Sequence, residues 1–331
     1  MDTALSIFAK AISPFFYPIL SDQRIYWLYL MSAGIIAAGA YLYGRSLHGQ
    51  NGAKTASWRE FTAFLLPRDV FLHRSAIVDY KYFVINAFGM ALIVSPILLG
   101  APAVADLTKS ALAPLAGADG WGLIPGAGDH LGYTLVMIIA MDGAIFLAHF
   151  LQHKVPALWE FHKVHHSAEV LTPITVYRMH PVDDILAGVI SALILGVMDG
   201  IFRTIYAASP TTMLLFNLNL FLFLFYLAGY NLRHSHVWVS YPQAVSHFLI
   251  SPAQHQIHHS SDPKHFDKNI GFIFAIWDGF AGTLYVPKSR EILKFGLDGD
   301  EHQAFDSVWQ LYARPFRAVF AKYLSPKRSQ T

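Results

Sequence analysis

Not one of the 331 residues is cysteine, which excludes disulfides, iron–sulfur ligation and any zinc site that needs a thiolate. Charge is scarce as well. Asp, Glu, Lys and Arg make up 14% of the chain, against about 25% in an ordinary soluble domain. A net charge of +2 without a long basic run gives no footing for nucleic acid. The opening residues, MDTALSIFAK, lack the charged n-region and small-residue cleavage site of a secretory signal, so they are expected to stay in the mature protein. What is plentiful is apolar. Hydrophobic residues reach 54% and mean hydropathy is +0.38, which points to a lipid solvent rather than to an enlarged soluble core.

A spanning helix takes roughly 20 mostly apolar residues. Five stretches qualify: 26–44, 82–100, 131–151, 184–206 and 211–230. The segment 4–20 contains Lys10 and Pro14 and is expected to lie along the interface, while 270–286 carries Asp278 and is not counted. The expected fold class is all-α: a polytopic membrane helical bundle of four to five spanning helices with a cytoplasmic histidine-rich helical cap. Sidedness comes from loop charge. Arg45, Lys54, Arg59, Arg68, Arg74 and Lys81 lie between the first two spans, whereas 101–130 holds only Lys109 beside Asp106, Asp119 and Asp129. Lys and Arg favour the inside, so the third span should return to the cytoplasmic face. Spans four and five then form a hairpin that comes back to that face at Arg233.

On that expected face stands an uncommon repeat. HKVHH (162–166) and HQIHH (255–259) each place three histidines at i, i+3 and i+4, the spacing of one helix face. With 17 histidines in 331 residues, such a pattern should arise by chance roughly 0.04 times; it occurs twice. His162, His165 and His166 are expected to converge on one point, and His255, His258 and His259 on another. His149 and His153 add an i, i+4 pair at the end of span three. The bland alternative is a chance cluster of surface or interfacial histidines, but ionisable groups beside apolar segments are costly and usually functional.

Imidazole suits zinc, copper, nickel and iron. One tetrahedral ion takes at most four such ligands, so eight imidazoles are too many for one ion and natural for two. H-E-x-x-H is absent, and so are the Glu-x-x-His pairs of soluble di-iron bundles.

The three boxes, HFLQH (149–153), HKVHH (162–166) and HQIHH (255–259), resemble those of the membrane fatty acid hydroxylase/sterol desaturase superfamily. The resemblance runs from about Asp142 to Pro287 and includes HKVHHSAEVLTPITVYRMHPVD and NIGFIFAIWDGFAGTLYVP. It implies an integral membrane oxidoreductase that uses two non-haem Fe ions and O2 as co-substrate to hydroxylate or desaturate a lipid. It also implies a ligand set of His149, His153, His162, His165, His166, His255, His258 and His259, with His234 of YNLRHSH as a ninth. Trp238 stands where some relatives carry a further histidine. His180, His236 and Asp142 are read as further ligands or as groups supporting ligands. Glu160, Asp183, Asp262, Asp267 and Asp278 are candidate carboxylate partners for the imidazoles, and His247 and His265 candidate supporting groups. His48, His73, His130 and His302 are read as ordinary solvated residues.

The expected organisation is 1–130 as membrane-anchoring helices and loops, 131–287 as the catalytic domain and 288–331 as a cytoplasmic tail. The expected activity is hydroxylation of an unactivated C–H bond of a fatty acyl, sterol or related lipid, with desaturation as the alternative. The chain carries no cysteine cluster, no G-x-G-x-x-G strand motif and no H-P-G-G haem module. Electrons should therefore come from an external ferredoxin, cytochrome b5-like or flavin reductase donor. The site is expected on the cytoplasmic face of a bacterial inner membrane or of the endoplasmic reticulum. Two rival classes are a membrane b-type haem electron carrier, which needs histidines facing each other across two spans, and a transporter with a histidine relay, which needs polar residues through several spans.

Overall fold

Apolar composition and helix-favouring patterning yield a mostly helical chain in which α1 (Trp27–Leu47), α5 (Ala127–Lys154) and α7 (Pro181–Ile205) carry the membrane character. The structure is a computed structural model and describes residues 12–47, 57–89, 100–117 and 120–324. Part of the expected interfacial segment 4–20, the second half of the expected span 82–100, and His48 lie outside the described residues. The remaining helices used below are α2 (Trp58–Leu65), α3 (Arg74–Gly89), α4 (Ala101–Ala116), α6 (Pro156–His166), α8 (Leu220–Leu227), α9 (Pro252–His258) and α10 (Val308–Val319).

Among the described residues three helices are long and apolar enough to cross a membrane: Trp27–Ser46, Ala127–Lys154 and Pro181–Ile205. They match the expected spans at 26–44, 131–151 and 184–206. The stretch 211–230 does not form the expected spanning helix. Leu214–Leu215 (β1) pairs antiparallel with Leu218–Asn219 (β2), and Phe216 and Asn217 both take positive φ between them. That is the two-residue hairpin geometry that Asn favours. The Asn219 side chain then accepts from Phe221 N and Leu222 N, starting α8. Eight residues of α-helix rise about 12 Å, well short of a hydrocarbon core of about 30 Å. Asparagine chemistry overrides the apolar run.

The stretch 101–116, read from sequence as part of a loop, is helix α4, and it packs on α7. The reason sits on α7. A Cβ at Gly196 would stand 2.5 Å from Val104 Cβ, and one at Gly200 would stand 2.5 Å from Thr108 Cβ. Small residues four apart let two helices touch backbone to side chain.

Two local devices aim the histidine helices. Pro156 opens α6, and proline drives the residue before it into extended backbone. Val155 obeys (φ −93°, ψ 112°) and serves as the last cap of α5 and the first of α6. One residue therefore bends the chain between the His149/His153 pair and the His162 triad. At α9, Ser251 and Gln254 form a capping box with Pro252 in the first turn. Beyond the site, α10 lies under α6, with Leu311, Val164, Tyr82 and Phe305 buried together.

Candidate metal centre

All nine histidines named as ligands come together, in two groups. His149, His153, His162, His166 and His258 form one, and His165, His234, His255 and His259 the other; within each group the ligand atoms lie within 4.8 Å of one another. The expected convergence of each triad on a single point is corrected here, because each triad is split. At 3.6 residues per turn, i+4 lies about 40° ahead of i, whereas i+3 lies about 60° behind. On α6, His162 and His166 therefore face the five-histidine group and His165 the other. On α9 the same rule sends His255 and His259 to the four-histidine group and His258 to the first. Each helix contributes a pair to one centre and a single residue to its neighbour.

Imidazole orientation is set from behind. The Nδ1 of His149 meets the Ile270 carbonyl at 2.7 Å, and that of His258 meets the Lys268 carbonyl at 2.8 Å. His153 Nδ1 lies 3.2 Å from Asp267 Oδ1. Each of these Nδ1 atoms acts as the N–H donor, which leaves Nε2 as a lone pair facing inward. The Nε2 atoms of His149, His153, His162, His166 and His258 are all buried without a hydrogen-bond partner. Five buried, unpartnered imidazole nitrogens in one group, three of them fixed as lone pairs, fit a cation better than any hydrogen-bonded network. In the second group the Nε2 atoms of His234, His255 and His259 stand 3.1–3.2 Å apart, about the spacing of nitrogens bound at ~2.1 Å to a single ion.

Electrostatics agree. Burial, followed by repulsion between neighbouring imidazoles, pushes His162, His166, His234, His255, His258 and His259 well below the usual histidine range. Burial likewise takes His165 to about 3. Neutral imidazole is the ligating form. Asp267 stays ionised, held down to about 2 chiefly by its hydrogen bond with His153 and also by Lys154.

The remaining candidates separate clearly. Asp142 touches no histidine. It accepts from Ile273 N (2.6 Å), Phe274 N (3.0 Å) and Trp277 Nε1 (2.8 Å), holding the loop whose Ile270 carbonyl orients His149. Asp278 accepts from Ile270 N and Gly271 N and holds the same loop from its other side. Asp183 lies 3.4 Å from His162 Nδ1. His180 is not in either group: its Nδ1 caps α7 by accepting from Val182 N. His236 meets the Phe64 carbonyl instead of a metal group, and His247 and His265 are engaged by Gln243 and Glu291. Glu160 pairs with Lys163 and Lys322, and Asp262 caps a short turn. Sequence reasoning missed Gln256, whose Nε2 donates to the Leu232, Ser235 and Val237 carbonyls and so fastens the His234 segment onto α9. It also missed Arg178, whose Nε donates to the Val164 carbonyl behind His165. Backbone acceptors leave no trace in residue type. Arg178 did leave one, as a lone arginine inside an otherwise uncharged segment.

Residues 134–283, which contain all nine histidines, match the fatty acid hydroxylase family. That segment belongs to the family. Among similar proteins, ornithine lipid hydroxylase OlsE of Rhizobium tropici is 28% identical over 198 residues, 59% of this chain and 53% of its own length. Cholesterol 25-hydroxylase of Homo sapiens is 30% identical over 156 residues, 46% of this chain and 52% of its own. Alkylglycerol monooxygenase of Caenorhabditis elegans is 23% identical over 199 residues, 58% of this chain and 36% of its own. The chain thus spans about half the length, or less, of the curated relatives it matches. No solved structure gives a significant match. The matched segment begins inside α5 and ends just past the loop held by Asp142 and Asp278, so it encloses both histidine groups and the backbone that orients them.

Proposed function

We propose that this chain is a membrane hydroxylase acting on an unactivated C–H bond of a lipid, with two iron ions held by the two histidine groups. The observation that carries the reading is the set of five Nε2 atoms, buried and unpartnered in one group, beside a second group of four imidazoles. His149, His153, His162, His166 and His258 would hold one ion, and His165, His234, His255 and His259 the other. When bound, such a pair supplies the reductive activation of O2 that an unactivated C–H bond requires. The chain's own residues do the rest. Asp267, Ile270 and Lys268 hold the tautomers of His153, His149 and His258. The relatives' names, hydroxylases and a monooxygenase of lipids, support hydroxylation over desaturation.

With no cysteine in the chain, reducing equivalents come from a separate ferredoxin, cytochrome b5-like protein or flavin reductase. The excess of Lys and Arg between the first two expected spans favours the cytoplasmic face for the centre, and we take the catalytic unit as 131–287. A haem carrier fits poorly, because the imidazoles gather in groups of five and four rather than in facing pairs. The test is lipid mass spectrometry of cells with and without the gene. A lipid heavier by one oxygen is expected. Loss of two hydrogens would make the enzyme a desaturase, and an unchanged lipid profile together with metal-free purified protein would end the reading.

A further inference from the structure

Joined through Asn231 to the segment that carries His234 is a cavity of about 390 Å³ whose walls include Asp22, Arg24, Asn86, Tyr177, Met179 and Asp184. Its polar lining is unusual for a space bounded by helices of a membrane protein, where each charge must be compensated. Arg24 stands three residues before the first spanning helix. Its backbone is clamped from both sides: its N–H donates to Tyr177 Oη at 3.1 Å, and its carbonyl accepts from Asn231 Nδ2 at 3.0 Å. Asn231 is three residues from His234, so the clamp ties Arg24 to the metal-centre scaffold. Among the described residues no carboxylate lies within ion-pair distance of the guanidinium, although Asp184 lines the same cavity. Burial works against the Arg24 charge, yet the phenols of Tyr230, Tyr226 and Tyr177, with Asp184 behind them, raise its pKa overall. It is a held cation with no carboxylate in contact, in a cavity whose walls carry the carboxylates of Asp22 and Asp184.

We propose that this cavity seats the polar end of the substrate, and that Arg24 recognises an anionic oxygen group there, a carboxylate or a phosphate carried by the lipid. The guanidinium fork matches both groups. Phe83, Ala87 and Val176, which also line the cavity, would receive the first methylenes. The carbons nearest the polar end then lie beside the four-histidine group, so oxidation falls near the head of the lipid rather than at its far end. This rests on reading the chain as a lipid hydroxylase, but it is tested by binding alone.

The full chain is purified in a neutral maltoside detergent. Binding of equal-length alkyl carboxylate, alkyl phosphate and fatty alcohol is measured by native mass spectrometry and thermal shift, with inorganic phosphate as a separate probe. The wild type should prefer an anionic amphiphile over the alcohol by about ten- to a hundredfold, the range of a hydrogen bond to a charged group. Arg24→Gln should remove the preference and leave alcohol binding unchanged. Should Arg24→Gln not fold, Arg24→Lys keeps the charge but not the fork and should lower the preference without removing it. A wild type that shows no preference overturns the proposal, as does a preference that survives Arg24→Gln. Inorganic phosphate binding as tightly as the alkyl phosphate would make this a free-anion site and overturn the lipid assignment. Because no turnover is read, lipid mass spectra that failed to show hydroxylation would leave this result separately legible.

Discussion

The Asp142 carboxylate accepts the Ile273 backbone N–H at 2.6 Å, reaching across 131 residues of chain to the loop that orients His149. Asn at this position has one acceptor oxygen for three donors and turns an N–H₂ toward the rest. Asp142→Asn should therefore lower stability by about 1–3 kcal/mol and activity by about 10–100-fold, less than loss of a ligand. Thermal unfolding in detergent and metal content check this. Loss of all metal from a folded Asp142→Asn protein would show that the carboxylate is itself a ligand.

Because helical phase splits the triads, variants should separate the two ions. His255→Ala/His259→Ala removes two of the four imidazoles in one group and only the neighbours of the other. It should halve the metal per chain, as should His162→Ala/His166→Ala at the five-histidine group. Elemental analysis of purified protein reads the ratio. Either pair removing both metals would mean that the groups bind as one unit.

Arg178 is a buried hub that pairs with Asp79 at 2.6 Å and donates to Val164 O and Ser167 Oγ. Arg178→Met strands the Asp79 carboxylate and should cost about 3–5 kcal/mol. The double variant with Asp79→Leu should recover part of that loss. Denaturation midpoints of the single and double variants decide it, and an equal loss in both would leave the ion pair without a role.

Gly200 admits no side chain: a Cβ there would also stand 2.7 Å from the Ala105 carbonyl. Gly200→Val should push α4 from α7 at a cost of about 1–3 kcal/mol or more, read as a lowered melting temperature. An unchanged melting temperature would mean that this helix contact is loose.

In metal-free protein the buried imidazoles bear on pH stability. His165, at about 3, and its depressed neighbours bind protons only far below the value of about 6.5 expected in an unfolded chain. The unfolded state therefore holds more protons between about 6.5 and about 3, and stability falls as pH drops through that window. Chelator-treated protein should denature more easily near pH 5 than near pH 7.5. A flat profile would mean that the imidazoles are solvated.

Much of this was legible in the linear order of residues. The three long apolar helices and eight of the histidines follow from composition and spacing, since helical periodicity is local, and His234 from the family resemblance. Hairpin 214–219 and helix α4 were not, because each depends on what the segment meets: paired asparagines turning an apolar run, and glycines of α7 receiving Val104 and Thr108.

The sequence by itself determined that the imidazoles of each triad lie close together, because i, i+3 and i+4 fall within about 100° of one another around a helix. Only the tertiary structure decided how they divide. A 100° step per residue separates i+3 from its pair, and the Val155 bend and the Ser251 cap fix the angles at which α6 and α9 meet. That angle, which no local pattern encodes, turns two identical motifs into two different halves of one centre.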